Sequence, residues 1–105
     1  MKVDLSELNK LEEYLQEHEI KYSRFDQDEV LTEDGYTEKT MRHQLVVLDK
    51  NGRVLWDAIC HKGSYGYEQG LLEVMGSTVV LPSDGDSVAG FLTAQDVIDR
   101  LERNT

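Results

Sequence analysis

Residues 43–68 read HQLVVLDKNGRVLWDAICHKGSYGYE, and this stretch decides the fold. Gln44 to Asp49 is an apolar run, Asp49-Lys50-Asn51-Gly52 is a turn, and Arg53 to Cys60 returns. Asn-Gly supplies residues that tolerate positive φ, the strongest short-range hairpin signal. Leu45, Val46, Val47 and Leu48 are apolar on both faces, which predicts an inner strand covered on both sides or one beside a dimer interface. On the return strand Val54, Trp56, Ala58 and Cys60 share one face, and Leu55, Asp57, Ile59 and His61 share the other. Asp57 thus falls among apolar neighbours, where a carboxylate must pair, be hydrogen-bonded or sit at the rim of a pocket.

Working forward, His61-Lys62-Gly63-Ser64-Tyr65-Gly66-Tyr67-Glu68 reads as a loop that opens a helix. Tyr67, Leu71, Val74 and Met75 make a helical stripe, so the spacing predicts a helix from about Tyr65 to Met75, ended by Gly76. Its N-terminus would offer backbone N–H groups to an anion. The plainer reading is that the glycines let the chain turn from strand to helix. The loop is not a Walker loop, because that spacing and its Lys-Ser/Thr ending are absent. Ser77 to Leu81 is expected to be a short strand closed by Pro82, and 82–90 a turn-rich loop. Asp84-Gly85-Asp86-Ser87 resembles calcium-loop chemistry, but the EF-hand spacing and its closing glutamate are missing. Thr93 with Asp96 predicts a capped final helix, with Leu92 and Val97 as a hydrophobic staple and Val97, Ile98 and Leu101 as its buried stripe.

Working backward, residues 4–18 carry Leu5, Leu8, Leu11 and Leu15 on one helical stripe, with Asp4 and Glu7 spaced as a capping box. Ile20 to Phe25 reads as a strand closely connected to that helix. Residues 26–42, DQDEVLTEDGYTEKTMR, hold six acids and little periodicity. Asp34-Gly35 is a turn signal; Val30 and Leu31 would anchor a short strand, or the segment is a mobile acidic loop. The expected class is α+β: a small antiparallel sheet of three to four strands centred on the 44–60 hairpin, with an N-terminal helix and two later ones. The expected domain is 1–105.

Charge bounds function. There are 21 acids and 11 bases in 105 residues, a net charge of −10. No basic patch is visible, so direct nucleic-acid binding through phosphates is not expected. Acids either solvate the surface or engage a basic protein surface. Asp26, Asp28, Glu29, Glu33 and Asp34 are the candidate acidic partner surface. A lone cysteine excludes an internal disulfide framework and a cysteine-rich metal cage. No run approaches a membrane span, and Met1 opens a charged amphipathic segment, so a cytoplasmic protein is the economical expectation.

Candidate binding residues are His43, Trp56, Asp57, His61, Lys62, Gly63, Ser64, Tyr65, Tyr67 and Glu68. Trp56, Tyr65 and Tyr67 read either as core packing or as interface anchors. Cys60 and His61, adjacent on a strand, point to opposite faces, so Cys–His catalysis is poorly supported and a buried Cys60 is the plainer reading. His43 and His61 flank the outer ends of the paired strands and are expected to approach across the ladder. No metal or cofactor is expected.

The run HQLVVLDKNGRVLWDAICHKGSYGYEQGLLEV (43–74), with SVAGFLTAQDVIDRLE (87–102), resembles small uncharacterised proteins of phages, prophages and mobile elements of gut bacteria. The resemblance implies a context in which small acidic proteins inhibit or modulate host machinery. The expected function is therefore non-catalytic binding of a protein partner, with homo-oligomerisation left open. The alternatives are a small-ligand or anion-binding module built on loop 61–68, and an enzyme using Cys60 or His61.

Overall fold

The computed structural model describes residues 4–27, 30–31, 37–39 and 42–103. At its centre is the hairpin: β4 (Arg42–Leu48) pairs antiparallel with β5 (Val54–Ile59). Asp49 builds the turn, its Oδ1 accepting the N–H groups of Asn51 (2.8 Å) and Arg53 (2.9 Å). β1 (Tyr22–Gln27) pairs with β4 on one side, β6 (Leu72–Met75) with β5 on the other, and β7 (Val88–Leu92) closes the sheet. The order is β1-β4-β5-β6-β7, antiparallel throughout. A separate short ladder joins β2 (Val30–Leu31) to β3 (Thr37–Lys39). The fold is thus α+β, with a five-stranded sheet in place of the expected three or four strands.

Helices α1 (Ser6–Glu17) and α2 (Ala94–Arg103) cover one face. From α1 come Leu8, Leu11 and Leu15, all fully buried; from the sheet come Leu45, Val47, Trp56, Ala58, Leu72 and Val74. Each such leucine contributes roughly 2–3 kcal/mol of transfer free energy. The inner side of edge strand β1 is polar because it meets the polar flank of α1. Tyr22 donates its hydroxyl to Glu12 (2.9 Å) and accepts from Gln16, while Arg24 ties Asn9, Glu12 and Asp26 together. That polarity is why the hydrophobic alternation of 20–25 is imperfect.

The caps hold surprises as well as agreements. Asp96 Oδ2 accepts Thr93 N–H (2.9 Å) and Thr93 Oγ1 accepts Asp96 N–H (3.1 Å), the reciprocal box expected at α2. The box expected at α1 does not form: the cap position is Leu5, Asp4 accepts from Ser6, and Glu7 reaches across to Ala94 N–H at 2.8 Å. At the other end of α1, Ile20 N–H bonds Leu15 O and Glu19 N–H bonds Gln16 O. This is a Schellman closure with Glu19 at φ +54, where glycine is usual.

The expected helix over 65–75 is absent. A single 3₁₀ turn spans Tyr67–Gln69 and the chain then extends as β6. Gly66 and Gly70 sit at φ +96 and +71, conformations that bracket the turn and stop it propagating. Leu72 and Val74 go inward and Glu73 and Met75 outward, the period of a strand. The expected strand 77–81 is also absent: Val79 and Val80 fold back, both N–H groups bonding Gly76 O, and bury Val79. Gly76 makes this possible because a Cβ there would lie 2.7 Å from Leu55 O. The later strand is instead β7, which begins inside the stretch 82–90 read as loop and runs on to Leu92.

Candidate functional site

Strand alternation sorts the candidate residues onto two sides of the sheet. Trp56 is 3% exposed and lies in the core beneath the helices, so it cannot anchor a partner. Cys60 is also inward, its Sγ–H directed at Asp4 O (3.6 Å), and burial first, then the Asp4 charge, pushes the thiol up to about 11. A buried thiol of that kind stays protonated near neutrality and is a poor nucleophile. His43 is buried on the same side. Its Nδ1 lies 2.8 Å from Asp26 Oδ1, and its backbone N–H donates to His61 Nδ1 at 3.4 Å. The two histidines therefore meet as expected, but through a main-chain donor. Among the described residues no group of three or more histidine, cysteine or acidic side chains could hold a metal ion.

The opposite, outer face carries Asp57, and no helix among the described residues lies on it. Asp57 Oδ2 accepts from Gln44 Nε2 at 2.6 Å. Burial pushes the Asp57 carboxyl above its usual range, the nearby Glu73 charge adds to this, and the Gln44 and Met75 donors oppose it. His61 stands close by; burial pushes its imidazole down. Glu73 Oε1 accepts Tyr65 N–H at 3.0 Å, which draws loop 61–66 over the β7 side of this face. Tyr65 then stacks on Phe91 (ring centroids 6.3 Å), and Gly90 admits it because a Cβ there would lie 2.4 Å from Tyr65 Cβ.

Toward the β6–β7 side and the end of β5 this face carries exposed apolar side chains. Leu55, Met75 and Phe91 are 47%, 52% and 58% exposed. The register places Asp57 opposite Met75 and Met75 opposite Val88, so these three form one row across the outer face. Phe25, also exposed, lies under the Arg42 guanidinium at 4.2 Å from the ring centre. Where β6 turns away, Met75, Gly76, Val80, Leu81, Pro82 and Asp86 line a groove of about 530 Å³.

The loop is not an anion site built on a helix. The glycines open only the three-residue turn Tyr67–Gln69, which has no aligned helical dipole to offer. Ser64 is occupied locally, its Oγ accepting His61 N–H and donating to His61 O. Lys62, Gly63 and Glu68 are exposed and Tyr67 packs against the core. Asp84, of the calcium-like run, is ion-paired to Arg100 (2.8 Å). Of the candidate acidic surface, Asp26 is turned onto Arg24 and His43. Asp28, Glu29, Glu33 and Asp34 lie outside the described residues.

Asp57, His61 and Tyr65 were thus reachable from sequence, whereas Gln44, Leu55, Glu73 and Met75 were not singled out. The alternation Leu72-Glu73-Val74-Met75 was the available signal for the last pair. No family model, curated protein or solved structure matches this chain.

Proposed function

We propose that this is a non-catalytic binding protein that docks another protein on the outer face of its sheet, as a modulator of host machinery encoded by a phage or mobile element. The observation that carries the docking reading is the exposed Leu55–Met75–Phe91 patch. An antiparallel sheet with one packed face normally presents a polar second face to water. Several large apolar side chains exposed together on one strand face mark an interaction surface. The net charge of −10 supports a basic partner, and the phage context rests on the resemblance of the 43–74 and 87–102 runs.

The test is affinity capture from a bacterial lysate with three tagged proteins: wild type, Leu55→Asp with Met75→Asp, and Glu13→Ala. Glu13 is exposed on α1, which packs on the other side of the sheet. A defined partner should be retained by wild type and Glu13→Ala and lost from the double variant, all three giving native circular dichroism. Equal recovery by all three would exclude this face as the docking surface.

A further inference from the structure

We infer that the partner segment recognised by the outer face is apolar and basic together: an aliphatic or aromatic side chain covering Leu55 and Met75, and one guanidinium or ammonium group set over Asp57 and Glu73. This deepens the docking reading and rests on it. The exposed apolar side chains of the outer face identify where a partner sits, and charge complementarity identifies its chemistry.

Several carboxylates elsewhere hold cations: Glu12 and Asp26 hold Arg24, Glu7 holds Lys10, and Asp84 holds Arg100. Asp96 and Asp99 of α2 are held by Thr93 and Gln95 instead. Asp57 and Glu73 differ from both groups in standing among exposed apolar side chains on the outer face. Their hydrogen-bond donors are the Gln44 amide and the Met75 backbone N–H for Asp57 and the Tyr65 backbone N–H for Glu73, and neither forms an ion pair with a lysine or arginine among the described residues. They repel one another, and Asp57 is already partly desolvated, with the nearby His61 acting in the opposite sense. A partner that covered this face with apolar groups alone would strand both charges, which is strongly unfavourable. A partner cation removes that penalty and fixes register.

A second copy of this chain does not satisfy the requirement. It would bring another Asp57 and Glu73 to the same face, and each chain carries −10. The spacing also constrains the partner. Asp57 lies directly opposite Met75, and Glu73 is two residues along β6 from Met75, about 7 Å away. Cation and apolar anchor are therefore separated by the distance between residues i and i+2 of an extended segment. The groove beside Met75, Val80, Leu81 and Pro82 receives the anchor, and Asp86 at its margin favours a further positive charge.

The test titrates the full-length, ¹⁵N-labelled protein with short synthetic peptides of equal length repeating Arg-Ser-Leu-Ser, Glu-Ser-Leu-Ser or Arg-Ser-Ala-Ser. The first should shift the amides of Gln44, Leu55, Asp57, Glu73 and Met75 and bind roughly tenfold or more tightly than the other two. Asp57→Asn with Glu73→Gln should remove that preference while leaving the remaining spectrum native. Asp57→Lys with Glu73→Lys should transfer it to the Glu-Leu peptide. If the Glu-Leu peptide binds wild type equally well at the same amides, the cation assignment is wrong while the docking face stands. Equal binding of the Arg-Ala peptide makes the contact electrostatic alone and overturns the apolar anchor. If no peptide moves these amides, the proposal falls, and the capture experiment above decides separately whether the face docks anything.

Discussion

Glu7 bonds the first helix to the last, and removing its carboxylate measures how much that bond stabilises the fold. It sits in the first turn of α1, yet its Oε1 accepts Ala94 N–H, at the start of α2, at 2.8 Å. That N–H is one of the donors a helix cannot satisfy from within. A hydrogen bond to a charged acceptor contributes about 1.5–3 kcal/mol net, and the positive end of α2 adds about 0.3–1 kcal/mol. The Lys10 partner is 63% exposed, so that ion pair adds little. The Glu7 side chain is 19% exposed, which places the total near the low end of these ranges.

Glu7→Ala should therefore cost about 2 kcal/mol, and Glu7→Gln, which keeps an acceptor without the charge, about 1 kcal/mol. The larger loss lowers Tm by roughly 10 °C in a domain of this size. The Ala94 N–H first, then Lys10, hold the Glu7 carboxyl below its usual 4.5. A depressed folded pKa gives a contribution that is complete above the unfolded value and is lost as pH falls through the folded one. Urea denaturation at about pH 7 and about pH 3 should then show the gap between wild type and Glu7→Ala closing in acid. Glu13→Ala, exposed on the same helix, is the control. A Glu7→Ala loss below about 0.5 kcal/mol, or a gap independent of pH, would refute the cross-fold cap.

Other outcomes follow from the same structure. Asp57 has a raised folded pKa, so the stability linked to it is present below the unfolded carboxylate range and is lost as pH rises through the folded value. Asp57→Asn should accordingly gain on wild type between acid and neutral pH in chemical denaturation, and a difference that stays flat across that window would contradict the assignment. Glu19→Gly should raise stability by about 0.5–1 kcal/mol, since it relieves a left-handed residue in the Schellman closure of α1. A fall in the denaturation midpoint would show that Glu19 makes a compensating contact.

The site was legible in the sequence to the extent that strand alternation carries it. The hairpin turn and its alternation put Asp57 and His61 on one face and Trp56 and Cys60 on the other, and the structure keeps that division. What alternation could not show was which face the helices would cover. That choice turned Trp56 from a candidate anchor into core and left Leu55 beside Asp57 in the open. Glu73 and Met75 were missed because their segment satisfied two periods at once: Tyr67, Leu71, Val74 and Met75 fit a helix, Leu72 and Val74 a strand.

Local chemistry determined the elements whose signals lie within a few residues of each other. Asn51-Gly52 set the hairpin, the leucine stripe made α1, and Thr93 with Asp96 began α2. Elements that depend on distant partners were decided by the tertiary structure. Residues 72–75 became a strand because β5 offered an unpaired edge and the core beneath it needed Leu72 and Val74, while Gly66 and Gly70 had already stopped a helix. Glu7 left its own helix terminus for that of α2 because packing α1 against α2 brought an unsatisfied N–H within reach. A hydrogen bond or a strand pair between residues so far apart in the chain leaves no mark on the spacing of either segment, and only the folded chain brings the two together.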